Sequence, residues 1–264
     1  MNNISFGQYY PASSLIHKAD ARVKILLIFL LLVFIFVANS WAALGVMSLL
    51  IVTIAFLSKV PLSLFIKNLK PVLPVLIIAS LLNIFYVSDG KILFEWHFIT
   101  VSTDGLLRAA FILIRIVLLI IVGGLLTYTT TPTQLTSAIE RLLSPLKYIG
   151  LGEAVHTMAM MMTIALRFIP TLIEEAQKII SAQKARGADF ESGKLYKRIK
   201  AMVPILVPLL ISSVRRALEL ANAMECRCYC GGKGRTHFKQ FKMRISDFVY
   251  ILIVCAVCTV IVFI

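Results

Sequence analysis

The sequence predicts an all-α membrane protein with about five transmembrane helices and a cytoplasmic layer of long helices, and three observations carry that expectation. The 264-residue chain is 59% hydrophobic with a mean hydropathy of +0.89, more apolar surface than a water-soluble domain of this length buries in one core. Apolar runs long enough to enter a bilayer occur at both ends of the chain. Basic residues gather between them: residues 127–246 hold 18 of the 27 Lys+Arg and no clean apolar stretch of about 20 residues. A net charge of +14 on a soluble protein would suggest nucleic acid. On a membrane protein it places basic segments on the cytoplasmic side against anionic headgroups, so the lipid bilayer is an expected partner and nucleic acid is not.

Residues 25–57 are interrupted only by Asn39, Ser40, Ser48 and Thr53. One helix of 33 residues at roughly 1.5 Å each would overshoot a hydrocarbon core of about 30 Å, so the run reads as a hairpin folded at Asn39-Ser40. Lys18, Arg22 and Lys24 on one flank and Lys59, Lys67 and Lys70 on the other put both ends in the cytoplasm. A third span is expected over residues 71–87, where Pro71 and Pro74 suit a helix start. Residues 88–105 hold Asp89, Glu95 and Asp104 against Lys91 alone, the composition of an outside loop, and residues 106–128 return inward as a fourth span. Arg108 and Arg115 lie seven apart on one face of it. Exposing Arg115 to lipid would cost roughly 2.5 to 3.5 kcal/mol, so it should face protein or water, serving packing or function. The apolar runs 155–166 and 201–214 are only 12 and 14 residues long; the first ends at Arg167 and the second contains Pro204 and Pro208. Runs of that length belong in an interface or a packed helical layer. A fifth span covers 248–264. The expected division is therefore 1–129, four transmembrane helices; 130–246, a cytoplasmic helical region; and 247–264, a last transmembrane helix. Seven spans would satisfy the same parity. The first 24 residues show no removable signal peptide.

Two helices of similar plan are expected in the central region. Leu172, Ile173, Ala176, Ile179 and Ile180 form the stripe of the first, which ends at Ala185-Arg186-Gly187, glycine suiting the left-handed residue that terminates a helix. In the second, Leu206, Leu209, Leu210, Val214, Ala217, Leu218 and Ala221 share one side, with Arg215, Arg216, Glu219 and Asn222 on the other, and the helix ends near Cys226-Arg227-Cys228. Aligned on Arg186 and Arg227, the two match at Ala182 and Ala223 and at Ile179 and Leu220, a pseudo-repeat 41 residues apart. An arginine at a helix end offsets the negative dipole for about 0.3 to 1 kcal/mol and need do nothing else. Alternatively, small neighbours let the tip enter a groove on another protein, where the guanidinium fork holds a carboxylate or backbone oxygens.

These residues resemble the transmembrane coupling (T, CbiQ-like) component of energy-coupling factor transporters over essentially the whole chain. Ala185-Arg186-Gly187 and Cys226-Arg227-Cys228 look like that family's paired Ala-Arg-Gly-type motifs. Asp20-Ala21-Arg22-Val23-Lys24, Thr131-Pro132-Thr133-Gln134-Leu135 and Arg167-Phe168-Ile169-Pro170 support the likeness, with departures at Ala21, where proline is usual, and Cys226, where alanine is usual. The resemblance implies a subunit that hydrolyses nothing itself. Its long coupling helices lie near the cytoplasmic surface, their tips at Ala185, Arg186, Gly187, Cys226, Arg227 and Cys228 dock two ABC-type ATPases, and another face holds a substrate-binding membrane (S) subunit for vitamin or micronutrient uptake across the cell membrane.

Met158, Met160, Met161 and Met162 read either as core or as a soft surface that repacks against the S subunit, with Met158, Met161 and Met162 as its contacts. No metal or cofactor is expected: Cys226, Cys228 and Cys230 with His237 lack zinc spacing, and Gly231 to Thr236 has the composition but not the spacing of a phosphate loop. His17, His97 and His156 stand singly. A stand-alone carrier or channel is the rival reading, but such a carrier holds acidic groups inside its spans, and all 13 Asp and Glu lie outside the apolar runs. In a cysteine-free background, a cysteine placed at Ser192 is expected to react with a membrane-impermeant maleimide only from the cytoplasmic side; labelling of intact cells would sink the five-span topology.

Overall fold

A computed structural model of the protein describes residues 9–86, 92–96, 99–188, 195–231 and 245–263. Ser192, His97, His237 and the basic turn at 232–236 lie outside them. The chain divides into two compact units, Met1–Ala138 with Lys239–Ile264, and Ile139–Phe238.

The first unit begins with a short helix α1 (Leu15–Lys18) and the pair α2 (Ala21–Val37) and α3 (Trp41–Leu57), which turn at Asn39-Ser40 as expected. Each of the pair has its own cap. Asp20 accepts from the Arg22 N–H at 3.0 Å to start α2, and Ser40 accepts from Ala43 N–H at 3.1 Å to start α3. Next come α4 (Leu62–Leu69), a 3-10 turn (Lys70–Val72) holding Pro71, and α5 (Leu73–Tyr86). By length and composition residues 62–84 are together able to cross a membrane, a stretch that begins ahead of Pro71.

The expected outside loop contains two antiparallel strands, β1 (Ile92–Trp96) and β2 (Ile99–Ser102), paired Trp96 to Ile99 and Phe94 to Val101. The alternation of Ile92, Phe94 and Trp96 suits a strand. Helix α6 (Thr103–Thr129) follows at once, capped by Ser102, whose hydroxyl accepts from Gly105 N–H at 3.0 Å. Helix α7 (Pro132–Leu142) opens on a reciprocal cap: Gln134 N–H donates to Thr131 Oγ1, and Thr131 N–H donates to Gln134 Oε1, both at 3.3 Å. With Pro132 in the first turn, the Thr131-Pro132-Thr133-Gln134 motif is a helix start. The unit closes with α10 (Ile245–Phe263), which packs on α2 and α3.

The core of this unit is Leu31, Ile35, Leu44, Met47, Ile51, Val122, Val254 and Cys258, drawn from α2, α3, α6 and α10. Outside it these helices present Phe29, Phe36, Leu49, Phe56, Phe248 and Leu252 to their surroundings. Helices apolar on all sides are solvated by hydrocarbon, which makes this an all-α membrane protein. Arg115 faces protein: its guanidinium stacks over Phe111, 4.8 Å from the ring centroid, and donates to the Ala38 carbonyl at the α2 end. Phe111 also meets Trp41 edge-on at 5.2 Å, so the α2–α3 turn is held by one arginine and two rings. Arg108, two turns away, is exposed.

One internal cation was read from the sequence as a flank. Lys24 lies within α2, is buried, and donates from its ammonium to the carbonyls of Thr129 at 2.9 Å and His17 at 3.2 Å. It thereby satisfies an end-of-helix carbonyl on α6. Beside it, Asp20 N–H donates to the buried Asp247 of α10 at 3.4 Å, tying the start of α2 to the start of α10. A Lys24→Met variant keeps much of the side-chain volume but leaves the buried Thr129 carbonyl and the part-buried His17 carbonyl without their donor. It is expected to lose about 1 to 3 kcal/mol of stability, read as a lowered midpoint in detergent thermal unfolding.

Candidate functional site

The second unit is built on two long helices, α8 (Gly152–Ala185, 34 residues) and α9 (Leu195–Cys226, 32 residues). Ahead of them, the 3-10 turn Ser144–Ile149 ends at Gly150, φ +85°, and Gly152 starts α8 so close to Lys147 that a Cβ would come within 2.8 Å of its side chain. His156 Nδ1 meets Glu140 Oε1 at 2.9 Å, fixing the first turns of α8 on the preceding segment. The apolar run 155–166 is therefore part of one continuous helix. By length and composition alone, α8 is able to cross a membrane, a property that the isolated 12-residue run lacked. Apart from Glu153 in its first turn, its charges begin at Arg167 near the middle and continue with Glu174, Glu175, Lys178 and Lys184.

The two helices cross at a polar point. Arg216 Nη2 donates to Glu175 Oε2 at 2.9 Å, and the Ser212 hydroxyl donates to Glu175 Oε1. Around this crossing the expected stripe of α8, Leu172, Ile173, Ala176, Ile179 and Ile180, is half-buried. On α9 the sheltered face is offset from the expected apolar side: it takes in Leu209 and Arg216, while Arg215, Glu219 and Asn222 stay exposed. Ile205, Leu209, Ser212, Ser213, Arg216 and Leu220 are the sheltered residues, whereas Leu206, Leu210, Val214, Ala217, Leu218 and Ala221 are exposed. The polar crossing explains the offset: turning Arg216 and Ser212 toward Glu175 turns most of the apolar side outward, beside the exposed Arg215, Glu219 and Asn222.

Both helices end as the motifs suggest. In α8 the chain closes through Arg186 N–H to the Ala182 and Gln183 carbonyls and Ala188 N–H to the Gln183 carbonyl, with Gly187 left-handed at φ +87°. In α9 the same closure runs from Arg227 N–H to Met224 and from Tyr229 N–H to Met224, with Cys228 in the left-handed position at φ +56°. A side chain stands there where α8 has glycine. Ala185, Arg186, Gly187, Cys226, Arg227 and Cys228 are all exposed.

The structure does not bring the two arginines together. Eleven residues separate Glu175 from Arg186 and eleven separate Arg216 from Arg227, so each arginine ends an arm of about 16 Å measured from the crossing. Toward its own tip, α9 lies beside the first half of α8: Met160 and Ile164 share a cavity of about 530 Å³ with Leu220, Met224, Arg227 and Cys228. The helices thus run antiparallel and their tips point opposite ways. Met158, Met161 and Met162 are exposed on α8, and Met160 lines the cavity. Sequence reasoning missed Glu175 and Arg216 as a pair, although their separation of 41 is the same as that of the two arginine motifs.

Backbone conformation at the tips supplies a test. Gly187→Ala places a Cβ at φ +87° and is expected to destabilise by about 1 kcal/mol, while Cys228→Gly relieves the same conflict and is expected to stabilise by about that amount, both checked by thermal unfolding of the purified chain.

Against known proteins, the profile of the CbiQ family, described as cobalt transport protein, matches residues 12–238. Proteins named energy-coupling factor transporter transmembrane protein EcfT are similar along nearly their whole length. The one from Clostridium kluyveri is 49% identical over 252 residues, covering 94% of this chain and 92% of its own. The relative from Ruminiclostridium cellulolyticum is 48% identical over 247 residues, 94% and 91%. That from Bacillus subtilis is 45% identical over 240 residues, 91% and 90%. With its fold, its two helix-tip motifs and this similarity taken together, the chain belongs to the CbiQ-like family of transmembrane components of energy-coupling factor transporters.

Proposed function

We propose that this transmembrane component couples two ABC-type ATPases to a substrate-binding membrane subunit, and that ATP binding and hydrolysis by those partners drive uptake of a vitamin or other micronutrient. The subunit itself is non-catalytic in this reading. The observation that carries it is the equal spacing of Arg186 and Arg227 from the Glu175–Arg216 crossing. Two exposed cationic tips of the same length and closure suit two partners of the same kind, each offering a groove with carboxylate or carbonyl acceptors for one guanidinium.

Arg186, with Ala185 and Gly187, anchors one ATPase; Arg227, with Cys226 and Cys228, anchors the other. Closure of the ATPase pair on ATP then moves the two arms about their shared polar crossing. The outward apolar face of α9 and the exposed Met158, Met161 and Met162 of α8 are the surfaces offered to the substrate-binding subunit and to lipid. Substrate identity resides in that other subunit. The component sits in the cell membrane with five spans, its N-terminus and the region 130–246 on the cytoplasmic side, where the ATPases and the excess of Lys and Arg both belong.

The test is assembly and transport with charge reversals. Arg186→Glu and Arg227→Glu are each expected to reduce co-purification of the ATPases or to uncouple their ATP hydrolysis from uptake in proteoliposomes. If both variants assemble and transport like the parent, the arginines are ordinary helix ends. If the parent chain purifies alone and moves solute by itself, the protein is a self-sufficient carrier and the coupling role is wrong.

A further inference from the structure

The membrane unit contains a cavity of about 280 Å³ enclosed by α1, α2, α3, α6 and α10. Its floor is made by the buried residues Val23 (1% exposed), Leu31 (2%) and Leu125 (3%). Its rim is open: Leu15 is 59% exposed, and Leu57 and Ile253 are each 46%. The cavity therefore lies at the end of the unit where α2 and α10 begin and α3 and α6 finish, and it opens outward.

Water is a poor occupant. A buried water needs two to four polar partners, yet the polar side chains of this wall are turned to the backbone. Thr53 donates to the Leu49 carbonyl and Thr129 to the Leu125 carbonyl, both at 2.7 Å, and the Lys24 ammonium is held by Thr129 and His17 carbonyls. Tyr250, also in the wall, has the amphipathic form that places a ring in hydrocarbon and a hydroxyl at headgroup depth. The surroundings are lipid, as the outward Phe29, Phe56 and Leu252 show. An empty slot of this size would forfeit the dispersion contacts of every residue lining it, and a neighbouring hydrocarbon chain restores them.

Charge at the rim narrows the choice. Exposed Lys18 directly precedes the wall residue Ala19, and exposed Lys59 follows the wall residue Leu57 by two positions. An apolar slot, open to lipid and flanked by cations, is the complement of an acyl chain attached to a negatively charged headgroup. We propose that this cavity binds one acyl chain of an anionic phospholipid, with Lys18 and Lys59 facing its phosphate. The site needs only the membrane location, and it stands or falls independently of ATPase coupling. With the orientation proposed above, the lipid comes from the inner leaflet.

The experiment uses the full chain purified in mild detergent, stripped of lipid, then offered phosphatidylglycerol or phosphatidylcholine with identical acyl chains and read by native mass spectrometry and thermal unfolding. The expected result is one tightly retained phosphatidylglycerol per chain, retained at least tenfold better than phosphatidylcholine, with a raised unfolding midpoint. Ile54→Trp fills the slot from its wall and is expected to abolish that retention while keeping the lipid-free midpoint. Leu27→Trp serves if Ile54→Trp does not fold. The double variant Lys18→Gln, Lys59→Gln is expected to bring the two lipids to parity. Equal retention of both lipids by the parent, retention unchanged in the filled variants, or a slot occupied by detergent alone would overturn the proposal.

Discussion

The second unit depends on one interaction, the hydrogen-bonded pair of Glu175 with Arg216 and Ser212. A long apolar helix packed on another has several nearly equivalent registers, because sliding by a turn exchanges one leucine contact for a similar one. A carboxylate that must meet one guanidinium and one hydroxyl removes that freedom, since any other register leaves a charge against an apolar neighbour. Fixing this point fixes the rest: which face of α9 is sheltered, which apolar face is left to lipid or protein, and how far each arginine stands from the crossing. The polar contact sets geometry more than it sets strength, for both partners remain partly exposed.

The first unit answers to a different constraint, the absence of water around most of its surface. Every backbone end there has to find a donor or acceptor within the protein. Ser40, Ser102 and Asp20 start their helices with side-chain oxygens, Arg115 donates to the carbonyl at the α2 end, and Lys24 donates to the carbonyl at the α6 end. Two residues that look like liabilities in an apolar sequence are thus its terminal hydrogen-bond donors.

Much of this was legible from the residues. The hairpin at Asn39-Ser40, the α6 span, the protein-facing Arg115 and the left-handed Gly187 follow from hydropathy, run length, the cost of a charge in lipid, and the conformational freedom of glycine. What escaped reading depends on tertiary partners. Lys24 sits among the cations of a cytoplasmic flank, and nothing local shows that its stem folds back toward Thr129 and His17. Which part of α9 packs on α8 was not legible, because a hydrophobic stripe marks what leaves water, and in a membrane protein that stripe has two destinations, the protein interior and the bilayer or a partner. Glu175 and Arg216 had a signal, their separation of 41, but a repeat is usually searched for identical residues, whereas here it relates an acid to a base. Sequence located both helix ends; their equal distance from a shared crossing required the contact itself.

Cys228 also makes the two ends of the hairpin chemically unlike. The α9 end carries Cys226, Cys228 and Cys230, all exposed free thiols, while the α8 end offers Ala185, Arg186 and Gly187 and no sulfur. Two termini that are near-equivalent in shape are thus orthogonal in reactivity: an alkylating or spin-labelling reagent addresses one and ignores its counterpart. Between the two tips the sequence already carries a one-sided reporter, by which events at one are distinguishable from events at the other once the exposed Cys255 of α10 is replaced.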